Sequence, residues 1–327
     1  MAHPMKPIRS GLLLFALLAG CGREGSAASP ATLPAPNPLP AHVTTLLEAR
    51  QAFATTLKQK ETTGFPADPP PPNLFREVKY DSAVGKLDAY VSPNPGDGKK
   101  HPAIIWIIGG FSNSISDIAW TPAPPENDQS ASAFRQAGII MMYPSLRGGN
   151  VNPGYKEAFY GEVDDVLAAA NYLSKLDYVD QNRIYLGGHS TGGTLVLLAA
   201  ECSNRFRAVF SFGPVNNVAN YGADVLPFDV ANATEVALRS PGGWLPFIQN
   251  PVYVFEGAAQ PSNAASLQIM KQQNHNPLIQ FHLIAGANHR SILAPVTPLI
   301  AAKIVHDDSP KSAITFTDAE LNALFDK

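Results

Sequence analysis

A serine stands at the centre of the segment GHSTG, residues 188–192, where the sequence changes from strand-like to helix-like. The preceding residues RIYLGG are typical of a buried strand, and Leu195, Leu197 and Leu198 indicate a following helix. A sharp strand-to-helix turn exposes its serine, and small neighbours let the strand and helix approach closely. The pattern predicts Ser190 as a nucleophile. The alternatives are a glycine-rich structural turn and a nucleotide loop, and the second is disfavoured because no lysine follows the glycines.

Strands and helices alternate on both sides of this turn, and they must position the serine. FREVKYDS and KLDAYVSP have the β-favouring residues of a hairpin, and the later apolar runs are typical of strands buried on both faces. Strands alternating with helices indicate one α/β domain, with a mostly parallel central sheet and helices on both faces. The predicted buried strands are PAIIWIIGG, IIMMYPS, RIYLGG, RAVFSFG, PVYVFEG and IQFHLIAG, and the predicted helices cover 130–138, 161–176, 232–239, 262–273, 296–305 and the segment after Ser190.

Three segments carry a resemblance to a known family: YPSLRGGNVNPGY, GEVDDVLAAANYLSKLDYVDQNRIYLGGHSTGG and the late GANH. They resemble the α/β hydrolases, specifically the catalytic domain of the prolyl oligopeptidase (S9) group and its stand-alone relatives. The resemblance covers about residues 75–305 and implies an α/β-hydrolase fold. Residues 22–72 are too few for an N-terminal propeller, so a propeller-gated oligopeptidase is not expected.

The resemblance implies a histidine base on the loop after the last strand, because a serine hydroxyl needs a base to become a nucleophile. His289, in LIAGANHRSIL, occupies that place, with a surface-loop histidine as the alternative. His189 is adjacent to the serine, but neighbours at such a turn are expected to point apart. His282 is expected to pack inside a strand, and His275 and His306 are expected to be solvated.

The resemblance also implies an oxyanion site made of backbone N–H groups. One donor is expected from Thr191, directly after the nucleophile. The other is expected from the loop GGF after IIWII, through Gly110 or Phe111. Many relatives carry a histidine before these glycines, whereas this chain has Ile108, and the backbone donor does not depend on that side chain.

The acid of the predicted site departs from the pattern of the family. Relatives place an aspartate three residues after the glycine that ends the penultimate strand, but PVYVFEGAAQPSN has Gln260 there. A glutamine can orient an imidazole and cannot stabilise its cation. Glu256, at the end of the same strand, is the preferred acid, and Asp224 in NYGADVLPFD is the alternative acid. A Ser190–His289 dyad without an acid stays open.

The N-terminus predicts export and a lipid anchor. Lys6 and Arg9 precede the apolar run GLLLFALLAG, which is typical of a secretory signal covering residues 1–20. LLAGC resembles the bacterial lipobox, so Cys21 is predicted to be acylated, with an ordinary cleaved signal as the alternative. Gly22 follows the cysteine in place of an aspartate, which in a Gram-negative cell favours the outer membrane. We therefore expect an extracytoplasmic, membrane-anchored protein.

A tether is predicted between the lipid and the domain. Residues 21–72 are rich in proline and small residues, and within them 41–61 have apolar residues at helical spacing. We expect one docking helix there, and a catalytic domain over residues 73–327. The apolar positions that predict the helix are Val43, Leu46, Leu47, Phe53, Ala54 and Leu57.

Composition excludes several function classes. The net charge is −3 and no basic block occurs, so nucleic acid is not an expected partner. Two cysteines exclude a disulfide framework. No metal-ligand motif such as H-E-x-x-H occurs, so no metal and no cofactor are expected.

These observations predict a serine hydrolase that works through an acyl-enzyme, on carboxylic esters in the first place. The alternatives are an S9-like peptidase for short peptides and a catalytically silent ligand-binding lipoprotein with a retained hydrolase fold. The partners would be a small molecule or short peptide, and the membrane. Aromatic residues on the loops predict an apolar or sugar-stacking pocket: Phe111, Trp120, Tyr155, Phe159, Tyr221 and Trp244.

Overall fold

The computed structural model describes residues 45–326, and its centre is one mixed sheet of eight strands. The strand order is β1-β2-β4-β3-β5-β6-β7-β8, with β1, β2 and β4 paired antiparallel and all other neighbours paired parallel. The predicted hairpin and the mostly parallel sheet are confirmed. The strands are β1 (Arg76–Ser82), β2 (Gly85–Val91), β3 (His101–Ile107), β4 (Ile140–Pro144), β5 (Val179–His189), β6 (Val209–Phe212), β7 (Val252–Ala259) and β8 (Ile279–Asn288).

Helices cover both faces of the sheet because its central strands are apolar on both sides. Successive residues of β3 alternate between two buried clusters, with Ile105 in one cluster and Ile104 and Trp106 in the other. Helices α3 and α4 pack into the first cluster and α7 into the second. The helices are α1 (Leu46–Gln51), α2 (Ala133–Gln136), α3 (Gly161–Leu173), α4 (Thr191–Cys202), α5 (Ala233–Ala237), α6 (Ala264–Gln273), α7 (Leu293–Val305) and α8 (Asp318–Asn322).

The predicted docking helix over 41–61 is wrong in length. Helix α1 ends at Gln51, and the chain beyond it is held by other contacts. Leu57 pairs with Phe228 in an isolated antiparallel bridge, and Phe53 packs edge-on against Tyr160. The apolar residues of this segment therefore contact the domain in two ways. Those up to Gln51 do so from a helix, and Phe53 and Leu57 do so from non-helical chain.

The signal, Cys21 and the start of the tether lie outside the described residues. Within residues 45–326, no helix is both long and apolar enough to cross a bilayer.

Helix α4 carries a buried acidic residue, Glu201. The Glu201 side chain is buried, and neither of its carboxyl oxygens has a hydrogen-bond partner among residues 45–326. Burial raises the pKa of Glu201 well above its usual value. The folded protein therefore holds this proton at pH values where the unfolded chain has lost it.

We expect Glu201→Gln to stabilise the protein in a pH-dependent way. Above a pH of about 4.3 the folded state binds the extra proton, so its stability falls by roughly 1.4 kcal/mol per pH unit until the folded-state pKa is reached. A glutamine does not titrate, so the variant should be more stable by about 1–3 kcal/mol at pH 7 and nearly equal at pH 4. Urea unfolding at both pH values measures this, and a pH-independent difference would contradict it.

Candidate active site

Ser190 lies at the turn between β5 and α4, with backbone angles of φ 57° and ψ −116°. Such a positive φ is uncommon for a residue with a side chain and is found where the surrounding structure enforces it. A β-carbon on Gly188 would lie 2.7 Å from the backbone of Gly192, and one on Gly192 would lie 2.2 Å from the carbonyl oxygen of Ile107. The glycines of GHSTG are therefore explained by close backbone contacts around the serine.

The carboxyl ends of β7 and β8 bring a histidine and a carboxylate together. His289 directly follows β8, and its Nδ1 lies 3.0 Å from Oε2 of Glu256 in β7. An ionised carboxylate only accepts hydrogen bonds, so Nδ1 carries the proton and donates it. The other ring nitrogen, Nε2, has no partner among the described residues and is the one left to act as a base.

Gly213, just after β6, packs directly against this pair. A β-carbon there would lie 2.4 Å from Oε2 of Glu256 and 2.5 Å from Cε1 of His289. Its φ is 59°, which favours glycine. The imidazole and carboxylate are thus held against backbone, with no room for a side chain between them and the sheet.

Of the three residues considered for the acid position, one contacts the histidine. Glu256 is fully buried, and its second oxygen, Oε1, accepts the N–H of Gly257 at 3.0 Å. Asp224 is exposed and makes no hydrogen bond to His289. Gln260 is also exposed and accepts the N–H of Ser262. The structure places Glu256 in the position of a triad acid, and the catalytic roles remain predictions.

The Ser190 hydroxyl has no hydrogen-bond partner among residues 45–326. The backbone at this point is tightly held, since the Ser190 N–H donates to the carbonyl of Phe212 at 2.7 Å. Catalytic hydrogen bonds are often long before a substrate is present and shorten in the complex. We therefore expect the hydroxyl of Ser190 to donate a hydrogen bond to Nε2 of His289 when a substrate is bound.

His189 has a role that the sequence did not indicate. Its Nε2 lies 2.7 Å from the carbonyl oxygen of His289, and its Nδ1 lies 2.8 Å from Nε2 of Gln129. Burial, with the neighbouring His289, lowers the pKa of His189 to about 3, so the ring is neutral and donates through Nε2. The sequence predicts that His189 only flanks the serine. That prediction is incomplete, because the hydrogen bond from His189 to the carbonyl of His289 holds the backbone of the predicted base. Gln129 is 60 residues away, so no local signal marks this contact.

The expected oxyanion donors lie together beside the serine. Thr191 is the first residue of α4, so its N–H has no acceptor within the helix. The Thr191 hydroxyl donates to the carbonyl of Gly110, which joins the two halves of the site. The N–H of Gly109 already donates a hydrogen bond to Oε1 of Gln129, at 3.2 Å. Gly110 and Phe111 are therefore the expected oxyanion donors on this loop.

A half-open pocket lies beside the expected oxyanion donors. Its wall includes Gly110, Phe111, Phe159 and Thr191. Tyr221 packs against both rings, edge-on to Phe111 at 5.2 Å and stacked on Phe159 at 5.4 Å between centroids. Three of the six predicted aromatic residues therefore build this region.

The other three predicted pocket aromatics lie elsewhere. Trp120 packs against Tyr90, Trp244 is buried and donates to the carbonyl of Ala237, and Tyr155 is exposed. Their loops leave the sheet at the expected edge, but the side chains turn into other contacts. Cys202 is buried and unpaired, and among residues 45–326 no group of His, Cys, Asp and Glu side chains is arranged to hold a metal ion.

Part of the chain is similar in sequence to a known protein family. Residues 125–237 match the model of the prolyl oligopeptidase family. Prolyl oligopeptidase A of Amanita bisporigera is 31% identical over 147 residues, which are 42% of this chain and 18% of that protein. A Mycobacterium tuberculosis puromycin-hydrolyzing peptidase has a similar structure, with a TM-score of 0.57 and 19% identity over 70% of this chain and 38% of its own.

The domain is an S9-like α/β hydrolase domain. A 2,6-dihydroxy-pseudo-oxynicotine hydrolase shares the fold of this S9-like domain, with a TM-score of 0.56 and 16% identity over 77% of this chain and 72% of its own. The chain spans 18% of the length of the curated relatives it matches. The family match includes Ser190 and ends before Glu256 and His289, so the pairing of those two rests on the geometry.

Proposed function

We propose that this protein is a serine peptidase that cleaves short peptides through an acyl-enzyme at Ser190. The observation that carries the proposal is the hydrogen bond between Nδ1 of His289 and Glu256 beside the Ser190 turn. Relatives named prolyl oligopeptidase and prolyl endopeptidase favour a peptide substrate over the carboxylic ester that the sequence predicts in the first place. The same hydrogen bond argues against a silent binding protein, because ligand binding alone does not require it.

The proposed reaction follows from the positions of these groups. Nε2 of His289 takes the Ser190 proton as the hydroxyl attacks the substrate carbonyl, and Glu256 stabilises the imidazolium that results. The N–H groups of Thr191 and of Gly110 or Phe111 stabilise the oxyanion. His289 then gives the proton to the leaving amine, and a water molecule releases the acyl group by the same steps.

Turnover of amides separates this proposal from an esterase. The intact protein should cleave aminoacyl and dipeptidyl 4-nitroanilides as well as 4-nitrophenyl esters, with the Ser190→Ala variant as the blank. Cleavage of esters without any amide would favour the ester alternative. Absence of both activities, together with no labelling by a fluorophosphonate probe, would favour the silent binding protein.

The lipid anchor is also a proposal, and it rests on LLAGC, residues 17–21. We expect Cys21→Ser to prevent acylation, so that the protein is released from the membrane fraction or accumulates with its signal uncleaved. The physical reason is that acyl chains contribute about 0.8 kcal/mol per buried methylene and the variant has none. Cell fractionation followed by mass spectrometry of the N-terminus measures this. A variant that is processed normally and stays in the membrane would contradict the proposal.

A further inference from the structure

The pocket beside the oxyanion site contains a carboxyl group that no proposed step uses. Glu162, in the first turn of α3, lines this pocket and is 2% exposed. Its Oε1 accepts three hydrogen bonds, from the N–H groups of Glu157 at 2.7 Å and Ala158 at 3.1 Å and from Nδ2 of Asn113 at 3.0 Å. Its Oε2 is buried and has no partner among residues 45–326.

An unpartnered carboxyl oxygen in such a place requires an explanation, because burial without a hydrogen bond is costly. The three donors to Oε1 hold the carboxyl group in one orientation, so Oε2 is left over by the geometry. Burial raises the pKa of Glu162, and the hydrogen bond from Asn113 and the nearby guanidinium of Arg147 act to lower it. The loop that supplies these contacts is itself strained, since Ala158 and Phe159 have φ values of 51° and 72°. Strain of this kind persists where the rest of the structure enforces it, and it is concentrated at binding sites.

Lys156, the other charged residue of the pocket wall, already contacts Glu61 and Phe111. Nζ of Lys156 lies 3.3 Å from Oε2 of Glu61 and 5.4 Å from the centre of the Phe111 ring. No ion pair joins Lys156 to Glu162 in the part of the chain that the structure describes. Lys156 is therefore not the partner of Oε2 of Glu162, which is buried without a hydrogen bond in a residue that lines this pocket.

The position of the pocket indicates which half of a substrate would enter it. The leaving group must lie near His289, which gives it a proton. The wall of the pocket includes Gly110 and Thr191, which are expected oxyanion donors, and neither Ser190 nor His289 is part of it. We therefore expect the acyl portion of a substrate, rather than its leaving group, to face this pocket.

We propose that Glu162 selects substrates whose acyl side chain enters this pocket and ends in a hydrogen-bond donor for Oε2. The donor is an N–H group, supplied either by a neutral amide or by an ammonium group. This inference rests on the proposed function, since it places the side chain relative to the acyl-enzyme at Ser190. It makes Glu162 a specificity-determining residue.

Three esters of similar side-chain length test the selection. N-acetyl-glutamine, N-acetyl-lysine and N-acetyl-norleucine 4-nitrophenyl esters offer an amide donor, an ammonium donor and no donor. The intact protein should have a kcat/KM about 10- to 100-fold higher for the glutamine or the lysine ester than for the norleucine ester. Preference for glutamine identifies the amide, and preference for lysine identifies the ammonium group. Equal or faster cleavage of the norleucine ester would overturn the inference while leaving the proposed function intact.

The Glu162→Gln variant removes the acceptor with little change in shape. The amide oxygen still accepts the three N–H groups, and the amide nitrogen replaces Oε2 as a donor. The preference should be lost, so that the variant cleaves the glutamine, lysine and norleucine esters at similar kcat/KM. Asp164→Asn, on the same helix and paired with Arg50, is the matched control and should keep the preference. A preference that survives Glu162→Gln would overturn the inference.

A binding measurement covers the case in which Glu162→Gln does not fold. Titration of the Ser190→Ala protein with N-acetyl-glutaminamide, N-acetyl-lysinamide and N-acetyl-norleucinamide needs no catalysis. One of the two donor ligands should bind about 10-fold more tightly than the norleucine ligand. Equal affinities would overturn the inference. If the intact protein cleaves no ester and is not labelled by a fluorophosphonate, the proposed function fails first and the inference fails with it.

Discussion

Replacement of Ser190 by alanine should lower kcat by about 10⁶-fold and abolish labelling by a fluorophosphonate probe, with little change in stability. The loss is large because the serine oxygen forms the covalent bond of the acyl-enzyme. Stability should change little because the hydroxyl has no hydrogen-bond partner among the described residues. The strained backbone, with φ 57°, is carried by a residue with a β-carbon before and after the change.

Steady-state kinetics, probe labelling and thermal unfolding measure the three parts of this expectation. His289→Ala should reduce kcat nearly as much, and the double variant little further, because members of such a unit act together. Labelling that persists in Ser190→Ala would place the nucleophile at another residue. A large fall in unfolding temperature would mean that the hydroxyl has a structural role that the contacts do not show.

The parts of this site that the sequence predicts are those encoded locally. GHSTG predicts the turn because backbone contacts within a few ångströms require glycine at Gly188 and Gly192. The strands are predicted because a strand buried on both faces is a continuous apolar run. Glu256 is accessible to prediction because a residue at the carboxyl end of β7 must lie at the edge of the sheet where the histidine loop follows β8.

The remaining contacts depend on distances along the chain that no local pattern encodes. The contact of His189 with the His289 backbone joins residues 100 apart, and its contact with Gln129 joins residues 60 apart. Glu162 looks like an ordinary first-turn acid of a helix, and only its unpartnered oxygen distinguishes it. The segment after Gln51 has apolar residues at helical spacing without forming a helix, because Phe53 and Leu57 contact two different parts of the domain.

Glu256→Gln should lower kcat by about 10² to 10⁴-fold with little change in KM. The direction follows from the hydrogen bonds that the carboxylate makes. Oε1 accepts the N–H of Gly257, so a glutamine will keep its carbonyl oxygen there. Its amide nitrogen then faces Nδ1 of His289 in place of Oε2. An N–H donor at this point requires Nδ1 to be unprotonated, which moves the proton to Nε2 and removes the base.

The loss of charge acts in the same direction, because an amide does not stabilise the imidazolium formed during attack. KM should change little, since Glu256 is fully buried and lies outside the wall of the pocket. Asp224→Asn is the matched control, an exposed acid without a hydrogen bond to His289, and it should leave kcat within a few-fold. If Asp224→Asn is the damaging change, the acid role belongs to Asp224. If both variants keep full activity, Ser190 and His289 act as a dyad and the contact with Glu256 serves only to pack the histidine loop.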